Sequence, residues 1–541
     1  MTVKEGLLKA AGIVAALSII SKFLGFAREA SLAAVFGATY ATDAYLMGQT
    51  VPVVIFSAVS AALGSTFIPV FSQVREEHGR DAAHNMVSSV MNATFLLAIA
   101  FIAVGEFFAG PLTRIVAPGF QGEVFNLTVA MTRIMFPMVL FQALSGLLTG
   151  MLQADDNFAI PAMTSLAYNI IIISSILVLG PRFGIQAVGA GTVIAIAVQV
   201  ILKLPAISRT GYCWKPILNM HDPGLQRMGS LIGPVLLATF AGQAATLVNR
   251  ILASGLAEGS VAALNYATRL MGLVPGVVGT SIITVMYPTL SRLSATGDWQ
   301  RYSKAFSESI KMISFVLVPA AVGMAVLRLP IVRIVFERGA FDSEATQATA
   351  WALLFLSPAV ALFTLRDMTS RAFYALQDTT SPMVVSIFSA GINIVLNLIL
   401  VRPLAQGGLA LANTLSSVFG VAVLSWILRK KMAGVSSSSP VSLGGKAILD
   451  SLWRVLLSSG IMGVVVWFAY GAVQIYIPGG ASPIQLVRLA IAVLAGVISY
   501  VVLVFILRVP EAGVVIKTVR SMLRRVFSKT QIYRHIKDHF V

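Results

Sequence analysis

The stretch "AIPAMTSLAYNIIIISSILVLG" at 159–180, followed almost at once by "GIQAVGAGTVIAIAVQVIL" at 184–202, decides what kind of molecule this is. Neither run contains a charged side chain. A helix rises about 1.5 Å per residue, so roughly 20 apolar residues cross the ~30 Å hydrocarbon core of a bilayer. Working outward, comparable segments lie at 10–36, 41–68, 88–112 and 124–149 on one side, and at 229–253, 261–287, 312–335, 346–365, 383–400, 406–428, 455–477 and 487–507 on the other. One such segment alone is compatible with a buried core helix. About fourteen in series predict an all-α polytopic membrane protein.

Composition agrees. Of 541 residues, 57% are hydrophobic and 11% charged, about half the charged share of a soluble domain. The net charge is +17, and its distribution carries the meaning. One set of connections holds Lys4 and Lys9, Arg75 and Arg80, Lys203 with Arg209, Lys215 and Arg227, Arg292 with Arg301, Lys304 and Lys311, and Arg429 to Lys431 with Lys446. The opposite set is poorer, with Arg114, Arg182, Arg402 and the mixed segment Arg333–Glu344. By the bias of basic residues toward the cytoplasm, both termini are expected there. The surplus is thereby explained without nucleic acid, and the basic tail from Arg508 to Lys537 suits anionic lipid headgroups or plain solvent. The first span carries Lys22, Arg28 and Glu29 and lacks a small-residue cleavage site, so it reads as a retained helix and not a signal peptide. A single cysteine, Cys213, excludes an intrachain disulfide.

The chain repeats itself at an offset of about 220 residues. "YLMGQTVPVVIFSAV" at 45–59 matches "RLMGLVPGVVGTSII" at 269–283, and "FIPVFSQ" at 67–73 matches "MYPTLSR" at 286–292. "APGF" at 117–120 answers "RGAF" at 338–341, and "LQADDNFAIP" at 152–161 answers "LQDTTSP" at 376–382. The expected organisation is a six-helix lobe at 1–225, a second at 226–440, a two-helix unit at 441–507 that could form a lateral groove, and a basic cytoplasmic tail at 508–541. Six is even, so the lobes share one orientation and a transport path is expected between them.

Ionisable residues inside spans are costly unless paired or wet. Lys22, Arg28, Arg250 and Arg269 oppose Glu29 and Asp43, so a cavity holding them would be cationic and suited to an anionic substrate. An arginine fork can bind two phosphate oxygens at once. Snorkelling or internal ion pairing is the other reading for these charges, and a helix N-cap is the other reading for Asp43. Asn393 and Asn397, one turn apart, are candidates for cation binding or for an interhelical hydrogen bond. Pro137, Pro161, Pro275 and Pro382 are expected to kink or end helices. The chain contains no "GxxxxGK[ST]", "HExxH" or "GxSxG", so no enzyme and no confidently assigned metal site is expected.

Several motifs together resemble the MurJ/MviN family, lipid II flippases of the multidrug/oligosaccharidyl-lipid/polysaccharide exporter superfamily. They are "SKFLGFAREA" at 21–30, "FGATYATDAY" at 36–45, "APGF" at 117–120, "NFAIPA" at 157–162, "YATRLMGLVPGVVG" at 266–279 and "FYALQDTTSP" at 373–382. The resemblance implies a fourteen-helix transporter of a bacterial cytoplasmic membrane, active in peptidoglycan synthesis. It would move the undecaprenyl-pyrophosphate-linked disaccharide-pentapeptide to the outer leaflet by alternating access, with the lipid tail beside the last two helices. Arg28, Asp43 and Arg269 match charges important in the family, and Lys22 stands where many members carry arginine. The chain departs from the family in its second helix, where many members have an arginine pair and a glutamate and this one reads "VPVVIFSAVSAALGSTFIP" at 51–69. The resemblance also leaves two couplings open, a sodium ion in the second lobe or the membrane potential. Alternative functions are export of another polyprenyl-linked glycan or of an amphipathic drug, or a non-transporting scaffold for cell-wall synthesis proteins.

Overall fold

The computed structural model describes residues 3–220, 222–435, 442–479 and 482–513. Most of the basic tail read from the sequence therefore lies outside the described residues. Within them the chain forms nineteen α-helices and no strand, as a bilayer demands of a chain that must satisfy its own backbone polar groups. The first nine helices are α1 (Val3–Phe36), α2 (Tyr40–Gly48), α3 (Thr50–Phe107), α4 (Ala109–Val116), α5 (Gly122–Met135), α6 (Met138–Ala154), α7 (Ala159–Ser174), α8 (Gly180–Arg209) and α9 (Pro223–Ser254). Then come α10 (Ser260–Val274), α11 (Thr280–Ala295), α12 (Trp299–Val326), α13 (Arg328–Phe336), α14 (Ser343–Leu356) and α15 (Ala359–Ala375). The last four are α16 (Thr380–Leu404), α17 (Gln406–Val435), α18 (Gly445–Tyr476) and α19 (Ser482–Ile506).

Among the described residues nine helical segments are long and apolar enough to cross a membrane, or ten when the bent pair α14–α15 is joined. This is a multi-pass membrane protein. The fourteen spans read from the sequence divide the chain more finely than this count. The two runs quoted at the outset show why. They merge into one helical segment of 51 residues, Ala159–Arg209, which at about 1.5 Å per residue is more than twice a bilayer core. The backbone leaves helical geometry at Gly184, φ +72°, and α7 then packs along α8, so this segment doubles back. A similar departure at Gly79, φ +83°, divides α3.

Prolines and wide turns mark the other interruptions. Pro137 sits in the break between α5 and α6, Pro161 and Pro382 lie in the first turns of α7 and α16, and Pro275 opens the π-helical turn Pro275–Gly279 that follows α10. The turns after α6 and α15 share one geometry. Asp156 and Gln377 both have φ +58°, and the next amide in each, Asn157 N or Asp378 N, reaches back five residues to Leu152 O (2.7 Å) or Phe373 O (3.0 Å). That is the hydrogen-bonding pattern of a left-handed helix C-cap. In the second turn Asp378 also accepts from Ser381 N and Oγ and from Lys431 Nζ at 2.8 Å. Burial alone would raise its pKa, but the Lys431 and Ser381 hydrogen bonds outweigh it and hold the carboxyl down at about 2.

The described chain gathers into two compact units. One runs to Arg269 and takes in Val335–Ala352 and Ser386–Ala412; the other is Leu270–Ile334, Leu353–Val385 and the chain from Asn413 onward. In the first, Phe67, Phe71, Met86, Leu147 and Tyr212 form a packed cluster from α3, α6 and the segment after α8. In the second, Val455, Met462 and Val466 of α18 pack with Ala492, Tyr500 and Val504 of α19. In lipid, helices gain nothing from escaping water, so close contact supplied by small residues drives the packing. Gly150 against Phe67, Gly463 against Val322 and Gly496 against Val466 are such contacts.

Close backbone approaches gather at the end of α1. Ala340 N donates to Ala34 O at 2.9 Å. Gly259 has φ +78°, and a Cβ there would sit on the carbonyl oxygen of Ala38. Gly259→Ala is therefore expected to lower the melting temperature of the purified protein, at a cost of about 1–2 kcal/mol for the left-handed backbone plus displacement of the Ala38 segment. Gly323→Ala, in the last turn of α12 with open space where its Cβ would sit, is expected to leave the melting temperature unchanged or raised.

Candidate functional site

Arg28 and Glu29 are adjacent in α1, and α10 presents Asn265 and Arg269 one turn apart on one face. The structure brings all four together. Glu29 Oε1 accepts from Arg28 Nη2 at 2.7 Å and lies 3.5 Å from Arg269 Nε, while Glu29 Oε2 accepts from Asn265 Nδ2 at 3.2 Å. The Glu29 side chain is 6% exposed, that of Arg28 18% and that of Arg269 53%. Arg28 is held on its other sides by Asn169 Oδ1 of α7, 3.4 Å from Nη1, and by the Tyr168 ring, 5.6 Å from its Cζ. One carboxylate thus serves two guanidiniums and the cluster keeps one net positive charge. Each guanidinium has five N–H donors, so donors remain for an external anion, most accessibly on the half-exposed Arg269.

The other charges predicted from sequence take different places. Asp43 is 2% exposed and both its oxygens are engaged, Oδ2 by Gly259 N and Oδ1 by Ala262 N, each at 2.8 Å. It is a cap, and the helix it caps is α10, not its own α2. An anion at a helix start satisfies N–H groups that have no intrahelical partner. Asp43 thereby fixes the helix that carries Asn265 and Arg269. Arg250 of α9 donates to Leu46 O at 2.9 Å and to Thr50 Oγ1 at 2.5 Å, clamping the break between α2 and α3. Lys22 is exposed on α1; six residues before Arg28 it lies on another face of the helix, and it is not among the partners of Glu29.

Asn393 and Asn397 of α16 meet a third amide, Asn249 of α9. Asn397 Nδ2 donates to Asn249 Oδ1 at 2.5 Å and to Asn393 Oδ1 at 3.0 Å, and Asn397 Oδ1 is buried with no hydrogen-bond partner among the described residues. The structure shows the interhelical hydrogen bond that the sequence allowed for this pair. No group of three or more His, Cys, Asp or Glu among the described residues could hold a metal ion.

Sequence reasoning treated Glu29 as one charge among several, and did not single out Asn169, Asn265, Tyr168 or Asn249. The spacing of Asn265 and Arg269 was a legible signal; the others are brought in by helices distant in sequence. Lys203 is a correction. Read above as a lysine of a basic loop, it lies within α8, which continues to Arg209, and is 3% exposed.

In the second unit, α12, α14 and α18 line an apolar groove of about 520 Å³ that includes Val322, Val326, Gly463, Val464, Trp467 and Phe468, with Arg328 at its side.

Asp43→Ala would leave two buried N–H groups without an acceptor, each costing about 1–3 kcal/mol, so a clear drop in melting temperature is expected. If that variant melts like the wild type yet fails in transport, Asp43 contacts substrate and is not the support of α10.

The family model described as "Lipid II flippase MurJ" matches residues 32–487. The lipid II flippase MurJ of Burkholderia cenocepacia is 26% identical over 83% of this chain and 88% of its own. The probable lipid II flippase MurJ of Bdellovibrio bacteriovorus is 26% identical over 93% of this chain and 95% of its own. Among solved structures, a lipid II flippase MurJ in an inward closed conformation superposes with a TM-score of 0.75 at 22% identity, covering 91% of this chain and 99% of that one. An inward-facing multidrug resistance MATE family transporter of the MOP superfamily superposes with a TM-score of 0.64 at 16% identity, covering 78% and 100%. The chain belongs to the MurJ family, whose model matches it through most of its length.

Proposed function

We propose that this protein is a lipid II flippase: it carries the polyprenyl-pyrophosphate-linked peptidoglycan precursor from the cytoplasmic to the outer leaflet and performs no covalent chemistry. The observation that carries this reading beyond family membership is the Arg28–Glu29–Arg269 cluster, a net positive site inside a membrane protein. A pyrophosphate would take donors from the two arginine forks. Glu29 would keep the forks apart and aligned when no anion is present, and would compete with the anion for Arg269, so that binding stays reversible. Asp43 and Arg250 act on this reading through the backbones of α10 and of the α2–α3 break, and Lys22 adds long-range positive charge.

Alternating access between two six-helix lobes, 1–225 and 226–440, is the movement proposed, with both termini on the cytoplasmic side. The apolar groove along α12 and α18 suits the prenyl chain, which gains nothing by leaving an apolar surround. Two couplings are compatible with the residues present. A sodium ion would draw on the amide oxygens of Asn249, Asn393 and Asn397, of which Asn397 Oδ1 is buried with no partner among the described residues while the other two accept from Asn397 Nδ2 and would have to be released. The membrane potential would instead act on the net charge of the arginine cluster.

Two measurements test these points. With labelled lipid II in proteoliposomes, Arg269→Ala and Arg28→Ala are expected to cut leaflet exchange by roughly tenfold or more, and lysine replacements to restore part of it. Unchanged exchange in both alanine variants would remove the cluster from the substrate path, and a scaffold or another cargo would then be the better account. For the ion, replacing choline chloride by sodium chloride is expected to raise the melting temperature of the wild type and not that of Asn397→Leu. Equal shifts in both would leave the asparagines as an interhelical hydrogen bond.

A further inference from the structure

A polar cavity lies inside the first unit, with Tyr168 in its lining. It measures about 410 Å³, is open on one side, and is lined by α3, α6, α7 and α8. Its polar lining comes mainly from Gln142, Ser145 and Thr149 of α6, Thr164 of α7, and Gln199 and Lys203 of α8. No aspartate or glutamate is among its lining residues. Lys203 is 3% exposed, and its Nζ donates to Ser145 O at 3.1 Å and Ser145 Oγ at 2.5 Å. An ammonium has three N–H donors, and the third finds no acceptor among the described residues. In the lining of the same cavity the buried Gln142 Oε1 has no hydrogen-bond partner among the described residues. A buried cation without a counter-ion is costly, and a buried amide oxygen without a donor adds to that cost. One ligand that offers both an anion and an N–H would relieve both.

We propose that this cavity is a carboxylate-binding pocket, in which Lys203 holds the carboxylate end of a short peptide and Gln142 Oε1 accepts from a peptide N–H. Resting on the flippase reading above, the peptide is that of the translocated lipid. The chemistry favours a carboxylate over a phosphate. A single lysine is one compact positive charge, matched by one monoanion, whereas a pyrophosphate is better met by paired arginine forks. The neutral hydroxyls and amides around it suit a peptide backbone, and the volume lies at the small end of ligand pockets, enough for one or two residues. Tyr168 connects the two sites, since it lines this cavity and also stacks on Arg28. A headgroup with its pyrophosphate at Arg28 therefore has a polar chamber next to it for another of its charged groups.

The test uses the full-length protein in nanodiscs and reads ligand-induced shifts in melting temperature. The probes are N-acetyl-D-alanyl-D-alanine, its C-terminal amide, and acetate. The acid is expected to stabilise the wild type at roughly tenfold lower concentration than the amide, the size of one charge-assisted hydrogen bond. Lys203→Met is expected to erase that difference, Lys203→Arg to keep most of it, and Gln142→Leu to weaken the acid. Melting curves without ligand establish that each variant is folded. Acid and amide acting alike on the wild type, or a folded Lys203→Met that binds the acid as the wild type does, would overturn the pocket. Acetate as effective as the dipeptide would overturn the peptide assignment and leave a site for free carboxylates. A parallel arm measures translocation of lipid II with a free or an amidated peptide terminus. If neither lipid moves while the acid still binds, the flippase reading fails and the pocket stands. If both move equally and the acid does not bind, the pocket fails and the flippase reading stands.

Discussion

The carboxylate of Glu29 is the interaction on which the polar interior depends. Two guanidiniums brought to one point would repel each other, the more so where one of them is largely buried, and neither could easily be neutralised by losing a proton. A single buried carboxylate between them makes the pair tolerable while leaving one positive charge in excess. The arrangement is asymmetric. Arg28 is fixed by Glu29, Asn169 and Tyr168, whereas Arg269 touches Glu29 at longer range and is half exposed. One arginine is therefore preorganised and the other is available to an incoming anion. That division suits reversible capture better than two rigid arginines would.

The supporting charges act through the backbone. Asp43 spends both oxygens on the start of α10, and Arg250 spends its donors at the interruption between α2 and α3. Each sits where a helix begins or breaks, which is where a membrane protein has backbone groups without intrahelical partners and little water to satisfy them. A charged side chain does this more strongly than a neutral one. Ionisable residues inside the spans thus fall into two kinds, those that complete the fold and those that keep donors for something else. Burial alone does not separate them, because Asp43 and Glu29 are both buried; the partners do.

The same distinction organises the remaining polar groups of the first unit. Among the described residues, Asn249, Asn393 and Asn397 bond to one another but leave Asn397 Oδ1 over, and Lys203 bonds to Ser145 in a cavity with no carboxylate in its lining. In a membrane interior such leftovers are expensive, so they mark places where a bound partner would improve the balance. The groove of the second unit is the opposite case, a surface apolar except for Arg328 that suits a hydrocarbon.

Much of this was legible in the residues. Long uncharged runs dictate membrane helices, because only internal hydrogen bonding satisfies a backbone in lipid, and the repeat of "LQADDNFAIP" and "LQDTTSP" corresponds to two turns of matching geometry. Arg28 and Arg269 could be singled out because a charge within an apolar run is costly wherever the run folds. What tertiary structure alone decided was the partner of each charge. Asp43 read as a cap or a ligand, and only the approach of α10 makes it the cap of a helix more than 200 residues away. Glu29 became central because Arg269 and Asn265 arrive beside it. Lys203 looked like one more loop lysine until α8 extended past it and carried it into a cavity. Hydropathy and spacing are properties of neighbours along the chain, whereas pairing and burial depend on which distant helices pack together.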